Sequence, residues 1–212
     1  RLAARSGGGV CSDLRKVTFG MRELSVAGGR HFTLNGRKIY LRGTLECCIF
    51  PLTGYPPTDV EPWMRICRIA QSYGLNHLRF HSWCPPEAAF AAADQTGILL
   101  HVEAPQWVFD VGKDPPRDEF IRKELERILD AYGNHPSFCL MAMGNELAGD
   151  FPFLESLVEF GRRKDPRHLY SCATARKLMP ADQFYVSHAR TGKPVRGIRG
   201  GPSTEHDFRE AI

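Results

Sequence analysis

Gly144-Asn145-Glu146 sets an amide and a carboxylate directly after the apolar run Phe138-Cys139-Leu140-Met141-Ala142-Met143. An unbroken run of this kind suits a strand buried on both faces of a parallel sheet. A carboxylate just past it lies where the strand surfaces, the end at which β/α architectures do their chemistry. An Asn amide beside a carboxylate can bind a hydroxyl-rich ligand, and the glycine permits close backbone approach. The rival reading makes Glu146 a cap for a helix starting near Phe151, since acidic residues favour helix N-termini. The Gly144-Asn145 pair tips the balance toward chemistry.

Other residues with chemical potential share this placement. Glu103 ends the apolar run Ile98-Leu99-Leu100-His101-Val102 as Glu146 ends its own, so both are expected at one mouth, with Glu103 binding rather than catalysing. Arg79 sits inside Leu78-Arg79-Phe80, an awkward setting for a plain surface arginine. His81 and Trp83 follow in the next loop. Trp83 is expected either to stack on a ligand ring or to roof the core, and His81 is balanced between ligand contact and structure. Trp107 offers a wall in the loop after Glu103, and His188 is a weaker binding candidate after Phe184-Tyr185-Val186-Ser187. His135, before Pro136 at the opposite end, reads as structural.

The elements that must position these residues alternate. A strand is expected over Ile39-Tyr40-Leu41-Arg42-Gly43, then a helix from Trp63 to Tyr73 with apolar residues at helical spacing and Gly74 closing it. Leu75 to Phe80 reads as a second strand, and Pro85-Pro86 opens a second helix that runs through Gln95 to Gly97. Ile98 to Val102 is the third strand, Asp118 to Tyr132 the third helix, and the run ending at Glu146 the fourth strand. Phe151 to Arg163 then reads as a helix, Leu169 to Ala173 as a fifth strand and Phe184 to Ser187 as a sixth. Repeated β/α units with short connections argue for a parallel sheet with right-handed crossovers. The fold class expected is α/β, a parallel (β/α)8 TIM-type barrel incomplete at its C-terminus, because such a barrel needs about 250 residues. Residues 1–30 differ in character. Their glycine clusters and Lys16-Val17-Thr18-Phe19-Gly20 suggest the tail of a preceding β-sandwich domain, leaving 31–212 as the partial barrel.

Bulk properties narrow the function classes. The net charge of +4 over 212 residues is mild. Its one basic concentration, Arg190 to Arg199, lies in a Gly-rich stretch without interleaved aromatics, so no nucleic-acid partner is expected. No apolar run approaches the roughly 20 residues that span a bilayer, so no membrane partner is expected either. Seven cysteines without CxxC spacing suggest neither a disulfide framework nor a zinc site, and neither metal nor cofactor is called for. Cys139 and Cys172 read as small buried hydrophobes. Adjacent Cys47-Cys48 receives no assignment. The chain opens on Arg1, so a missing N-terminus is expected, and the lack of a targeting segment leaves location open.

In order along the chain stand Phe19-Gly20-Met21-Arg22-Glu23, Phe32-Thr33-Leu34-Asn35-Gly36, Leu41-Arg42-Gly43 and Gly74-Leu75-Asn76-His77-Leu78-Arg79. Ala93-Asp94-Gln95-Thr96-Gly97-Ile98, Glu103-Ala104-Pro105, Asn134-His135-Pro136-Ser137 and Gly144-Asn145-Glu146 follow. Each is weak alone; their order and spacing resemble glycoside hydrolase family 2, the group of β-galactosidases, β-glucuronidases and β-mannosidases. The resemblance covers nearly the whole chain. It implies a barrel preceded by β-sandwich domains, an exo-acting retaining β-glycosidase using two carboxylic acids, and a carbohydrate partner. By that resemblance Glu146 is the general acid/base, Asn145 binds the sugar 2-hydroxyl, and Arg79 supports the catalytic carboxylates. The nucleophile belongs at the end of a seventh strand. Glu205 and Glu210, in a capped helix start, do not fit it, so the nucleophile is expected beyond the chain end. The family leans toward a periplasmic or secreted location.

Two other functions remain in view. A non-catalytic carbohydrate-binding or scaffold domain would keep Glu146 without its partner. A metal-dependent hydrolase on a similar barrel would need His-x-His after the first strand, which Leu41-Arg42-Gly43-Thr44 lacks. The sugar, the linkage and the oligomeric state are not legible.

Overall fold

The computed structural model describes residues 2–6, 9–14, 19–173 and 178–186. An antiparallel hairpin, β1 (Leu2–Ser6) and β2 (Gly9–Asp13), comes first, followed by an antiparallel three-stranded meander. The meander comprises β3 (Leu24–Ala27), β4 (His31–Leu34) and β5 (Arg37–Lys38). The expected boundary at residue 30 falls in the turn between β3 and β4. Lys16-Val17-Thr18 and His188 lie outside the described residues, and Phe19 is in no strand.

The α/β part follows as β6 (Gly43–Glu46), α1 (Val60–Ser72), β7 (His77–Phe80), α2 (Glu87–Thr96) and β8 (Leu99–Glu103). Then come α3 (Pro115–Tyr132), β9 (Phe138–Ala142), α4 (Phe151–Lys164) and β10 (Leu169–Ser171). The five strands form one parallel sheet in the order β6-β7-β8-β9-β10. Sequential order with a helix in each connection is what right-handed β/α crossovers produce. No described helix is long and apolar enough to cross a membrane.

Local sequence explains each element. Trp63, Met64, Cys67 and Ala70 form the buried stripe of α1 at three- and four-residue spacing. The buried alanines of α2 let it lie close against α1 and β8. Gly97 ends α2 in a left-handed conformation, φ 77°. Asp114 and Asp150 cap α3 and α4 by accepting the backbone N–H of Arg117 and Phe153. Helix capping therefore belongs to Asp150, not to Glu146.

Every residue of β7 and β9 is buried, as the unbroken apolar runs require. Side chains alternate. Leu78, Phe80, Leu100 and Val102 join the core beneath the helices, while His77, Arg79, His101 and Glu103 occupy the intervening positions on the other face. A second apolar cluster ties the meander to the sheet through Leu24, Phe32, Leu41, Cys139, Leu140, Leu169 and Phe184. Arg22 fastens that junction: its guanidinium donates to the carbonyls of Pro136, Phe138 and Arg167 and meets His168 Nδ1 at 3.1 Å. These contacts lie at the amino ends of β9 and β10.

Two expected strands shift. The first begins at Gly43, where the prediction ended it. Ile39 still donates to Phe32 of the meander, and the parallel ladder starts only where Gly43 meets His77. A Cβ at Gly43 would stand 2.6 Å from the His77 ring, so the close approach needs glycine there. The expected sixth strand does not form over 184–186, where the chain instead follows the edge of β10. Gln183 donates its backbone N–H to Tyr170 and accepts from Tyr170 N through its side chain, and Phe184 drops into the second cluster.

Candidate active site

Strands β7, β8 and β9 end side by side, and their last residues converge. Arg79 Nε donates to Glu103 Oε1 at 2.7 Å, and its Nη2 lies 2.6 Å from the same oxygen. That Nη2 also donates to Asn145 Oδ1 at 2.7 Å. The second carboxylate oxygen of Glu103 accepts the Ser82 backbone N–H at 2.6 Å. Arg79 is 4 % exposed, and Glu103 and Asn145 are fully buried. Burial pushes the Glu103 carboxyl up from the usual glutamate range; the charge of Arg79 and the N–H donors of Ser82 and Arg79 offset only part of that. One arginine thus links strands β7 and β8 to Asn145, three residues past the end of β9.

Glu146 is set differently. Its backbone is left-handed, φ 49°, a conformation that costs energy for a residue with a side chain and that collects at functional sites. Gly144 before it has φ 142°, and a Cβ there would come within 2.6 Å of the Gln106 carbonyl. The Glu146 carboxylate accepts the Trp107 indole N–H at 3.1 Å on Oε2. His81 presents its ring edge to Trp107, centroids 5.1 Å apart at 77°.

The two loops bearing Trp107 and Glu146 are zipped together. Ala104 N donates to Ala142 O, Asn145 N to Gln106 O, Ala148 N to Val108 O, Val111 N to Ala148 O and Asp150 N to Val111 O. The Gln106 side chain adds a bond from Nε2 to Met143 O at 2.7 Å. Gly149, φ 123°, has no room for a Cβ, which would sit 2.5 Å from Val111 N and O.

Of the residues expected to meet, Arg79, Glu103 and Asn145 form one buried hydrogen-bonded group. Glu146, Trp107 and His81 form a second, more exposed group continuous with it through the Asn145–Glu146 and His81-Ser82 steps. Trp83 is half-buried: its ring packs edge-on against Phe80 and beside Trp63 and Phe50, and its N–H donates to Glu46 O. It is not brought to the Glu146 group by any such contact.

Ser82 and Gln106 escaped sequence reading. Ser82 holds Glu103 from a left-handed backbone, φ 60°, and a serine gives no hint of that conformation. Gln106 acts mainly through its carbonyl, which no side-chain pattern reveals. Below Arg79, His77 and His101 stack with ring centroids 6.2 Å apart. Burial, with the charge of Arg79 adding to it, lowers His77 to about 4 and drives His101 well below its ordinary value. Among the described residues no group of three or more His, Cys, Asp or Glu side chains could hold a metal ion.

Comparison with known proteins gives this geometry a context. No family model matches the chain. It is 25 % identical over 202 residues to a Formosa agariphila protein named as a β-glucuronidase, covering 91 % of this chain and 18 % of that protein. It is 26 % identical over 218 residues to an exo-β-D-glucosaminidase of Amycolatopsis orientalis, covering 92 % and 18 %. Among solved structures, a β-glucuronidase of Bacteroides uniformis superposes with a TM-score of 0.74 at 23 % identity, covering 93 % of this chain and 26 % of that one. A glycosyl hydrolase family 2 member from Bacteroides cellulosilyticus gives 0.65 at 21 % identity, covering 79 % and 24 %. The chain spans about a fifth of the length of these curated relatives. The resemblance to glycoside hydrolase family 2 read from the motif order holds: the relatives are glycosidases, and the fold is shared with a solved family member.

Proposed function

We propose that this chain carries the acid/base half of a retaining exo-β-glycosidase site, on the first part of a (β/α)8 barrel whose remaining strands lie outside the described residues. The observation that carries the reading is the state of Glu146. It sits past the carboxyl end of β9 in a strained left-handed conformation, engaged by Trp107, while Asp150 does the helix capping that would otherwise explain it.

In this reading Glu146 protonates the glycosidic oxygen as the sugar departs and later deprotonates the incoming water. Asn145, its Oδ1 held by Arg79, presents its amide to the sugar 2-hydroxyl. Glu103 accepts from Arg79 and Ser82 and holds that arginine in place. His81 and Trp107 line the approach to Glu146, and His188, outside the described residues, stays a candidate for sugar contact. The nucleophile is a carboxylate from a later strand. A buried arginine–carboxylate–amide group is costly to desolvate and adds little net stability, which supports a working role over a purely structural one. Relatives named β-glucuronidase, exo-β-D-glucosaminidase and β-galactosidase support a β-glycoside substrate in this reading, with the sugar left open.

The test uses the protein that carries this chain and Glu146→Gln. Hydrolysis of β-glycosides with poor leaving groups is expected to fall by about a hundredfold or more, the range that general acid catalysis supplies, with much smaller loss on activated aryl glycosides. Unchanged turnover of both substrate classes relative to wild type would favour a carbohydrate-binding domain here, with catalysis carried elsewhere in the protein.

A further inference from the structure

We propose that Trp107 is a positioning residue for Glu146: its indole N–H fixes one carboxylate oxygen so that the other is the one that gives and takes the proton. The proposal rests on the acid/base reading of Glu146 and goes further in naming the group that orients it.

The geometry starts from the zipped loops. Asn145 N donates to the carbonyl of Gln106, one residue before Trp107, and Ala148 N to the carbonyl of Val108, one residue after it. The indole is therefore held in register with Glu146 by main-chain bonds on both sides. Its Nε1 meets Oε2 at 3.1 Å, and the His81 ring edge braces the indole. Trp107 is 53 % exposed and adds little core packing, so burial does not account for its placement.

An indole N–H donates and cannot accept. It can hold Oε2 whether the carboxyl group is protonated or ionised, and its own protonation state never changes. With Oε2 engaged, Oε1 delivers its proton to the glycosidic oxygen as the bond to the anomeric carbon breaks. The same oxygen takes a proton back from water when the second half-reaction adds hydroxide to that carbon. A tyrosine or histidine in this place would itself exchange protons and could rotate to accept. Tryptophan is thus suited to a carboxyl group that must serve as acid and then as base.

The experiment is a leaving-group series of aryl β-glycosides on the full-length protein, comparing wild type with Trp107→Phe, which keeps a ring beside His81 and removes the N–H. For poor leaving groups kcat is expected to drop about tenfold to a hundredfold, the worth of one hydrogen bond to a charged group. For dinitrophenyl glycosides, whose leaving group needs no proton, kcat/KM should be spared, while kcat and KM fall together because the base-assisted second half-reaction is slowed. Urea denaturation of Trp107→Phe beside wild type guards against a folding defect: the half-exposed indole adds little core packing, so the two midpoints should coincide while the leaving-group dependence differs. A kcat for poor leaving groups within about twofold of wild type would overturn the proposal, as would an equal fall on all substrates with a raised KM, the mark of a mere wall. If Glu146→Gln also spares poor leaving groups, the acid/base reading itself is wrong, a separate result from failure of the Trp107 variant alone.

Discussion

Arg79 and Glu103 stand on neighbouring parallel strands with Nη2 and Oε1 2.6 Å apart, and both side chains are withdrawn from solvent. The same guanidinium reaches Asn145, so a single residue sets the distance between the ends of β7, β8 and β9. A surface pair would be worth little. This one is buried, and its removal leaves a carboxylate stranded in the interior.

Arg79→Met should therefore destabilise the protein by about 3–5 kcal/mol, the cost of breaking one side of a buried pair. The contact between Arg79 and Glu103 also belongs to the proposed site, so loss of activity alone would not separate the roles. The double variant Arg79→Met with Glu103→Leu removes both charges and is expected to recover most of the stability but none of the activity. Urea denaturation of the three proteins reads this directly. Equal instability of the single and double variants would show that the pair is not coupled.

The stacked imidazoles predict an acid sensitivity well above the carboxylate range. Burial lowers His77 to about 4 from an ordinary value of 6.5, and lowers His101 further. Both are neutral when folded and take up protons when unfolded, so the unfolded state binds more protons over this window. Stability should then rise with pH, and be lost as pH falls from about 6.5 toward 4, by roughly 1.4 kcal/mol per pH unit for each group. Among the described residues neither ring nitrogen of His101 has a hydrogen-bond partner, and its ring meets Phe184 edge-on at 5.2 Å. His101→Phe should thus flatten the slope between pH 6.5 and 4.5 and stabilise the protein at pH 5. An unchanged slope in denaturation curves across that range would contradict the buried neutral state.

Asp165 governs a lower window. Burial alone would raise its carboxyl, but hydrogen bonds from His168 and Arg167 outweigh that and hold it below the usual aspartate range. Its folded value is depressed, so its contribution is present above its unfolded value near 4 and is lost as pH falls through the acid range. Tyr170 of β10 donates its hydroxyl to the main-chain carbonyl of Asp165 and helps to hold that turn. Asp165→Asn should lower stability at pH 7 and make the curve flatter below pH 4. Coincident acid titrations of the variant and wild type would reject this assignment.

The alternation of strands and helices was legible because burial on both faces writes itself as unbroken apolar runs. The strands expected over Phe138 to Met143 and Ile98 to Val102 came out within a residue of the observed limits, Phe138–Ala142 and Leu99–Glu103. Gly97 marked a helix end through its left-handed backbone, while Gly133 ends α3 with an ordinary right-handed one. The first strand was misplaced because Ile39 and Leu41 are apolar on account of the meander, not of the sheet. Phe184 and Val186 misled similarly: their apolar character reflects the second cluster, and a strand needs a ladder as well. At the site, Arg79, Glu103 and Asn145 could be anticipated from strand ends. The contacts that fix them come from main-chain atoms of Ser82, Gln106 and Val108, whose conformations depend on partners 20 or more residues away and leave no local signature.

The last prediction concerns the 212-residue chain by itself. Retaining hydrolysis needs two carboxyl groups about 5–5.5 Å apart, one of them a nucleophile free to attack carbon. At this mouth Glu146 is one carboxylate, while Glu103 is buried with both oxygens committed, Oε1 to Arg79 and Oε2 to Ser82. Freeing Glu103 to attack would break the pair that holds Asn145. The chain alone is therefore expected to release no nitrophenol from a panel of nitrophenyl β-glycosides above the uncatalysed rate, whatever the sugar. Addition of azide to the Glu146→Ala form of the full-length protein, by contrast, should restore turnover of activated substrates, because the anion attacks the glycosyl-enzyme directly, needing no base, and leaves as the glycosyl azide while the nucleophilic carboxylate is released. Robust hydrolysis by the short chain would mean that a second carboxylate already stands in place. Glu103→Gln and Glu205→Gln would then identify it, since only the nucleophile's loss abolishes turnover of activated and poor substrates alike.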